Sequence, residues 1–240
     1  ADSFEVVNGQ LKFKAGINPN YEIKTSYDVT VTSTDGSGST TAQSFTVTIN
    51  NVNEHPTAIS LSASAINEND LGAVVGTITT TDEDADDTVE YSLSGTDAES
   101  FEVVDGQLRL KSDVSADYET KTSYSVTVTV TDSGGLTTSN GFTVSVNNLN
   151  DNSPSITSSA SYSADENQTS VGTVTATDAD GDDVTFTISG SDLSITSSGV
   201  ITFDSEPDYE STNSYSGTVT ASDGTNSSTQ EITISVNDIN

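Results

Sequence analysis

Residues 124–132 read YSVTVTVTD, from Tyr124 to Asp132. Tyr124, Val126, Val128 and Val130 alternate with Ser125, Thr127, Thr129 and Thr131. A period of two, with β-branched residues on one side and hydroxyls on the other, marks a strand half buried against a core. The same alternation runs outward through FTVSV (Phe142, Val144, Val146), VEYSL (Val89, Tyr91, Leu93) and GQLRL (Leu108, Leu110). It returns in VTFTI (Val184, Phe186, Ile188) and ITISV (Ile232, Ile234, Val236). Polar outer faces of this kind predict antiparallel pairing. Asp105-Gly106, Asn8-Gly9 and Ser198-Gly199 are hairpin dipeptides between such runs. No stretch carries a convincing helical pattern.

The strand belongs to a segment that occurs more than once. Phe4, Tyr21, Tyr27, Asp35, Phe45 and Asn53 recur 97 positions later as Phe101, Tyr118, Tyr124, Asp132, Phe142 and Asn150. A more diverged copy places Tyr209, Tyr215, Asp223 and Asn240 in the same order. The expected organisation is a C-terminal half repeat over 1–53, a complete repeat over 54–151 and another over 152–240, joined by NVNEHP and NLNDNSP. A chain that starts in mid-repeat and stops within a linker motif is expected to be a piece of a longer tandem array, or to have its first half supplied by another chain. About seven short strands in about 95 residues is the size of an immunoglobulin-like sandwich. The fold class expected is all-β, a tandem of immunoglobulin-like Greek-key β-sandwich repeats, without the Trp and paired Cys of true immunoglobulin domains.

Composition excludes several functions. The chain has 240 residues, 6 Lys or Arg against 37 Asp or Glu, a formal charge of -31, one His and no Cys. Such a surface repels nucleic acid and anionic lipid. The apolar runs are too short for direct membrane insertion. Without Cys there is no disulfide, thiolate metal site or cysteine nucleophile. All six cations (Lys12, Lys14, Lys24, Arg109, Lys111, Lys121) precede Thr122, and the 16 acidic residues that follow have no internal partner. A hydrophobic fraction of 31% with this charge points to disorder unless something neutralises the acid. External cations are the expected answer.

The acids fall at recurrent places: Asn67-Glu68-Asn69 and Asp165-Glu166-Asn167, Asp82-Glu83-Asp84 and Asp178-Ala179-Asp180, Asp117-Tyr118-Glu119 and Asp208-Tyr209-Glu210, then Asp35, Asp132 and Asp223. Carboxylates two apart on an extended chain project to one side and offer two oxygens to one centre. Calcium takes six to eight oxygens at about 2.3–2.6 Å in a flexible shell. Zinc and copper prefer His or Cys, and one His cannot serve them. An EF-hand is excluded, because neither DEDADDTVEYSL nor DADGDDVTFTIS carries Glu at its twelfth place. Taken singly, acidic loop residues on a sandwich are also what a solvated surface looks like.

In this order, and closed by the linker NLNDN, the motifs resemble the cadherin repeat, including its bacterial cadherin-like relatives, over essentially the whole chain. The resemblance implies calcium clusters where successive repeats meet. At the second junction the implied ligands are Glu68, Asp117 and Glu119, then Asn148, the Leu149 carbonyl, Asn150, Asp151 and the Asn152 carbonyl, then Asp178, Asp180 and Asp223. At the first they are Glu22, Asn51, Asn53, Glu54, Asp82, Asp84 and Asp132, with Asn20 and Glu54 replacing Asp and His55 replacing the linker Asn. A third, incomplete set is Glu166, Asp208, Glu210, Asp238 and Asn240.

The family implies a non-enzymatic role, at the cell surface or outside the cell, as a calcium-stiffened adhesion array. The partners implied are neighbouring repeats of the same long chain and homotypic association. A structural filament unit and a metal-free immunoglobulin-like stalk stand beside that reading. Tyr21, Tyr118 and Tyr209, between ligand positions, are expected to pack inward.

Overall fold

A computed structural model of the chain describes residues 2–85 and 87–239. They form two compact units. One runs to Ser64 and takes in Val74–Ser112 and Ser125–Val144; the other comprises Ala65–Ala73, Asp113–Tyr124 and the chain from Ser145 onward. Each unit contains one of the two linkers together with the acidic residues on both sides of it.

The first copy supplies β1 (Phe4–Val7), β2 (Gln10–Phe13), β3 (Ser26–Thr34) and β4 (Thr40–Thr48). The middle repeat follows with β5 (Ala58–Leu61), β6 (Ala65–Asn67), β7 (Val74–Thr81), β8 (Glu90–Ser94), β9 (Phe101–Val104), β10 (Gln107–Leu110), β11 (Ser123–Thr131) and β12 (Thr137–Asn147). A single 3-10 turn, Ala98–Ser100, precedes β9. The last repeat runs β13 (Ser155–Ile156), β14 (Ser161–Asp165), β15 (Ser170–Thr173), β16 (Ala176–Thr177), β17 (Thr185–Ser189), β18 (Leu193–Ile195), β19 (Val200–Phe203), β20 (Ser214–Ser222) and β21 (Ser227–Asn237).

The period of two decides the core. On β11, Val126, Val128 and Val130 are buried while the hydroxyl residues between them are not. They belong to the same unit as buried Leu108 and Leu110 of β10, Ile78 of β7 and Val144 of β12. In the second unit Phe186, Ile201, Phe203, Val219, Ile232 and Ile234 form the corresponding cluster. Burial of each such side chain contributes about 1.5–3 kcal/mol, which offsets the chain entropy of ordering these strands.

The sequence predicts antiparallel pairing throughout, and this is corrected at one place in each whole repeat. β5 pairs antiparallel with β7, but after Ser62–Ser64 the chain crosses to the other sheet, where β6 runs parallel to β12. β13 and β14 repeat the switch: β13 is antiparallel to β16 and β14 is parallel to β21. The edge strand is thereby cut in two, which gives the middle repeat eight segments rather than about seven. The last repeat has nine because the counterpart of β7 is also divided, into β15 and β16.

The hairpins also differ among copies. Asn8 and Gly9 (φ 50 and 77) and Asp105 and Gly106 (φ 50 and 73) form two-residue turns with both central residues left-handed. Ser198-Gly199 does not. Four residues, Thr196 to Gly199, separate β18 from β19, and of that dipeptide Gly199 takes the positive φ, since Ser lacks the tolerance of Asn or Asp for it.

Candidate metal centres

Six of the repeated acids begin where a hydrogen-bonded ladder ends. Glu68 directly follows β6, Asp82 follows β7, Asp132 follows β11, Glu166 follows β14, Asp178 follows β16 and Asp223 follows β20. At these positions a carboxylate leaves the core face and can close the next turn with one oxygen. Asp82 Oδ1 accepts the Asp84 N–H (3.1 Å), Asp178 Oδ1 that of Asp180 (3.0 Å), and Asp223 Oδ1 those of Thr225 and Asn226 (2.6 Å each). The second oxygens, Asp82 Oδ2, Asp178 Oδ2 and Asp223 Oδ2, are buried with no hydrogen-bond partner, as are Glu54 Oε2 and Asp87 Oδ2. A buried carboxylate oxygen without a donor is costly unless a cation meets it.

At the first linker, oxygens of Glu22, Glu54 and Asp84 all lie within 4.8 Å of one another, and so do those of Asp82, Asp87 and Asp132. Asp84 accepts the Glu54 N–H (2.8 Å) and the Asn51 amide (2.9 Å), which hold its carboxyl below its ordinary range although burial opposes this. Glu54 moves the other way. Burial, then the charges of Asp84, Glu22 and Glu83, push its carboxyl up. Asp132 is disfavoured by burial, but donors from Asn53 (3.0 Å), Leu136 and the following turn outweigh this and lower it. Asn20 points to Glu83 (2.7 Å).

At the second linker Glu68 is 1% exposed and accepts the N–H groups of Tyr118 (2.7 Å) and Leu149 (2.6 Å). One buried carboxylate thus ties the end of β6 to the 117–119 turn and to the linker. Glu166 repeats the device with Tyr209 (3.1 Å) and Ile239 (3.1 Å). Glu68, Asp117 and Glu119 converge within 4.8 Å, and Glu119 belongs equally to a group with Asp151 and Asp180. Asp180 takes the Asn152 amide (2.9 Å), the Asn152 N–H (2.9 Å) and the Asp151 N–H (3.1 Å), and its carboxyl is lowered by Asn152 foremost, against burial. Asp117 is lowered by the Thr120 hydroxyl and N–H. Glu119 is raised, chiefly by burial and then by the adjoining Asp180 and Glu68. Asn148 donates to the Asp180 carbonyl (2.8 Å), and Asn150 is held by Asn226.

Of the carboxylates expected at the second linker, Glu68, Asp117, Glu119, Asp151 and Asp180 converge in linked groups and Asp178 accepts the Asp180 N–H; those groups do not include Asp223. Leu149 and Asn152, expected to act through their carbonyls, donate their N–H groups to Glu68 and Asp180. Of the third set, Glu166, Asp208 and Glu210 converge; Asn240 lies outside the described residues.

Three residues escape the motif reading. Asp87 stands five places after Asp82, beyond the D-x-D spacing, and a chain reversal brings it back, where Ser133 bonds it (2.7 Å). Asn69, left-handed at φ 65, donates to Asp151. Asn226 is the third. The Tyr expectation is corrected at Tyr21, which is exposed where Tyr209 packs on its core.

These donors are hard oxygens, several of them buried and unmatched. Lys12 pairs with Glu5 (3.3 Å) and Arg109 with Glu102 (2.8 Å), carboxylates of neither cluster. The donor set fits calcium in type and number.

Comparison with known proteins places this geometry. Residues 62–147 match the sequence model of the Cadherin domain. The solved structure of Protocadherin Gamma B2 extracellular cadherin domains 3-6 is similar over 99% of this chain and 63% of its own (TM-score 0.77, 24% identity). Domains 1-5 of the same protein match over 99% and 50% (TM-score 0.73, 24% identity). Mouse Cadherin-23 EC22-24 matches over 99% and 83% (TM-score 0.74, 22% identity). The chain thus spans about half to two thirds of the length of the two protocadherin structures. The chain carries a cadherin domain over residues 62–147, and its fold is that of tandem cadherin repeats.

Proposed function

We infer that this chain is a calcium-binding stretch of an extracellular, adhesion-type tandem array, with cations at the two linkers fixing how each repeat meets the next. The observation that carries the reading is the set of buried, partnerless carboxylate oxygens at both linkers. The second linker would use Glu68, Asp117, Glu119, Asn148, the carbonyls of Leu149 and Asn152, Asn150, Asp151, Asp178, Asp180 and Asp223. The first would use Glu22, Asn51, Asn53, Glu54, Asp82, Asp84 and Asp132, joined by Asp87. Bound calcium supplies positive charge that cancels the repulsion among these groups.

The chain's own part is to bring acids from before the linker, from within it and from after it to one place. Cation binding then counts as folding and orientation free energy. The boundaries 1–53, 54–151 and 152–240 are the repeats so joined. The acids recur copy by copy, as structural ligands do, and the role is binding rather than catalysis. Neighbouring repeats are the first partners and like chains the second. A filament unit is a second reading, favoured by the apolar side chains that the first copy leaves open, Phe45 and Val6 among them.

Thermal unfolding followed by circular dichroism, in EDTA and in millimolar calcium with magnesium as control, tests the reading. A calcium-specific rise in melting temperature, reduced by Asp151→Ala, is expected. Superimposable curves would leave a metal-free immunoglobulin-like stalk.

A further inference from the structure

The turn after the last acid of each copy is closed by the same pair of hydrogen bonds, to the fourth residue on in the first two copies and to the third in the last. Asp35 N–H donates to the Ser39 carbonyl (2.9 Å) and Ser39 N–H to Asp35 Oδ1 (2.9 Å). Asp132 does the same with Leu136 (3.0 and 2.8 Å), and Asp223 with Asn226 (3.3 and 2.6 Å). One structural station is therefore occupied by Ser, Leu and Asn in turn.

Its occupant changes what the linker asparagine does. At the second linker, Asn226 Nδ2 donates to Asn150 Oδ1 (3.1 Å) and to the Asn150 carbonyl (3.3 Å). Asp223 keeps Oδ2 buried and unengaged. At the first linker the station holds Leu136, which has no side-chain donor and is 42% exposed. Asn53, the counterpart of Asn150, turns its own amide onto Asp132 Oδ2 (3.0 Å) and the Glu54 carbonyl (3.1 Å). It lies so close to the turn that a Cβ on Gly134 would stand 2.3 Å from its Oδ1. Each Asp132 oxygen thus accepts one N–H, and neither is as open to a cation as Asp223 Oδ2.

We propose that this station, Leu136 at the first linker and Asn226 at the second, sets the relative cation affinity of the two linkers. Asn226 is a positioning residue. It holds the linker asparagine by a donor that is not a ligand, so that Asp223 Oδ2 is left without a donor; Leu136 has no side-chain donor, and Asn53 bonds Asp132 Oδ2 instead. The inference rests on the calcium reading above. One hydrogen bond of this kind corresponds to about a 3- to 10-fold change in affinity.

Calorimetric titration of the full chain with calcium tests it. The Asp84→Ala background isolates the second linker and the Asp180→Ala background the first. Asn226→Ala should weaken the second linker about 3- to 10-fold, with the melting temperature in EDTA unchanged. Leu136→Asn, at an exposed position, should tighten the first. If the unsubstituted chain binds no calcium, the calcium reading fails and this inference with it. If it binds, but either variant leaves its linker within about twofold of the parent, the calcium reading stands and the inference is overturned. A fall in the EDTA melting temperature of Asn226→Ala without loss of affinity would make Asn226 a turn residue alone, and overturns it equally.

Discussion

Residues 4–48 and 101–145 carry almost the same alternation and meet different fates. Leu108 and Leu110 are fully buried, whereas Leu11 and Phe13 at the same stations are half-exposed. Val128 is fully buried and Val31 is not; Phe45 is 46% exposed. In the second copy β11 pairs with β8 and β10 with β7. In the first, β3 pairs with β4 and β1 with β2, and Phe4, Phe13 and Tyr27 pack ring on ring at 4.4–5.8 Å in place of a full core. A period of two states which side chains can be buried; partner strands decide which of them are.

The strongest way to break this comparison is one substitution made in both copies. Leu108→Ala should cost about 2–5 kcal/mol in urea unfolding, and Leu11→Ala less than about 1 kcal/mol. Equal losses would mean that the first copy finds a cover in solution. Glu68 sharpens the comparison at the linker, since it staples the linker that follows the second copy. Glu68→Ala leaves the Tyr118 and Leu149 N–H groups without their acceptor and should cost about 2–3 kcal/mol in EDTA. Retained stability there would show water replacing the carboxylate. Gly106→Ala, forcing a left-handed φ on a residue with a Cβ, should cost about 1 kcal/mol, while Gly9→Ala should leave the main transition in place.

The smallest effect per group is that of pH, because salt screens exposed Asp117 and Glu119 and half-buried Glu54 and Asp180, leaving Asp84 and Asp132 as the buried pair. Glu54 and Glu119 lie above their ordinary 4.5, so the stability they contribute is complete below 4.5 and is lost as pH rises through their folded values. Asp84, Asp117, Asp132 and Asp180 lie below 3.8, so theirs is complete above 3.8 and is lost as pH falls through theirs. Metal-free melting temperature should therefore peak between 3.8 and 4.5 and decline toward neutrality. A flat profile from 4.5 to 7 would show that the glutamates do not repel their neighbours.

Much of this was written in the sequence. The alternation of β11 and its 97-residue echo identify sandwich repeats, and the recurrent acids single out the linkers as candidate sites. What was not written depends on chain reversals. The parallel β6 has three residues, too few to show a period. Asp87 lies outside the D-x-D spacing and becomes a neighbour of Asp132 through the fold alone. Asn226 matters through a linker residue 76 positions away. Tyr21 matched its copies and is exposed because burial belongs to the surroundings, not to the motif.

The parallel pairing of β14 with β21 bears on what happens under tension. In the last repeat β14 follows the two-residue β13, and β21 is the final strand. In a parallel pair the start of β14 and the end of β21 lie at opposite ends of the ladder. Pulling on them slides the strands along each other, so the five residue pairs from Ser161↔Thr233 to Asp165↔Asn237 share the load together. An antiparallel pair at that edge would open like a zip, one bond at a time. Once load passes β13, the β14–β21 ladder therefore resists as a unit.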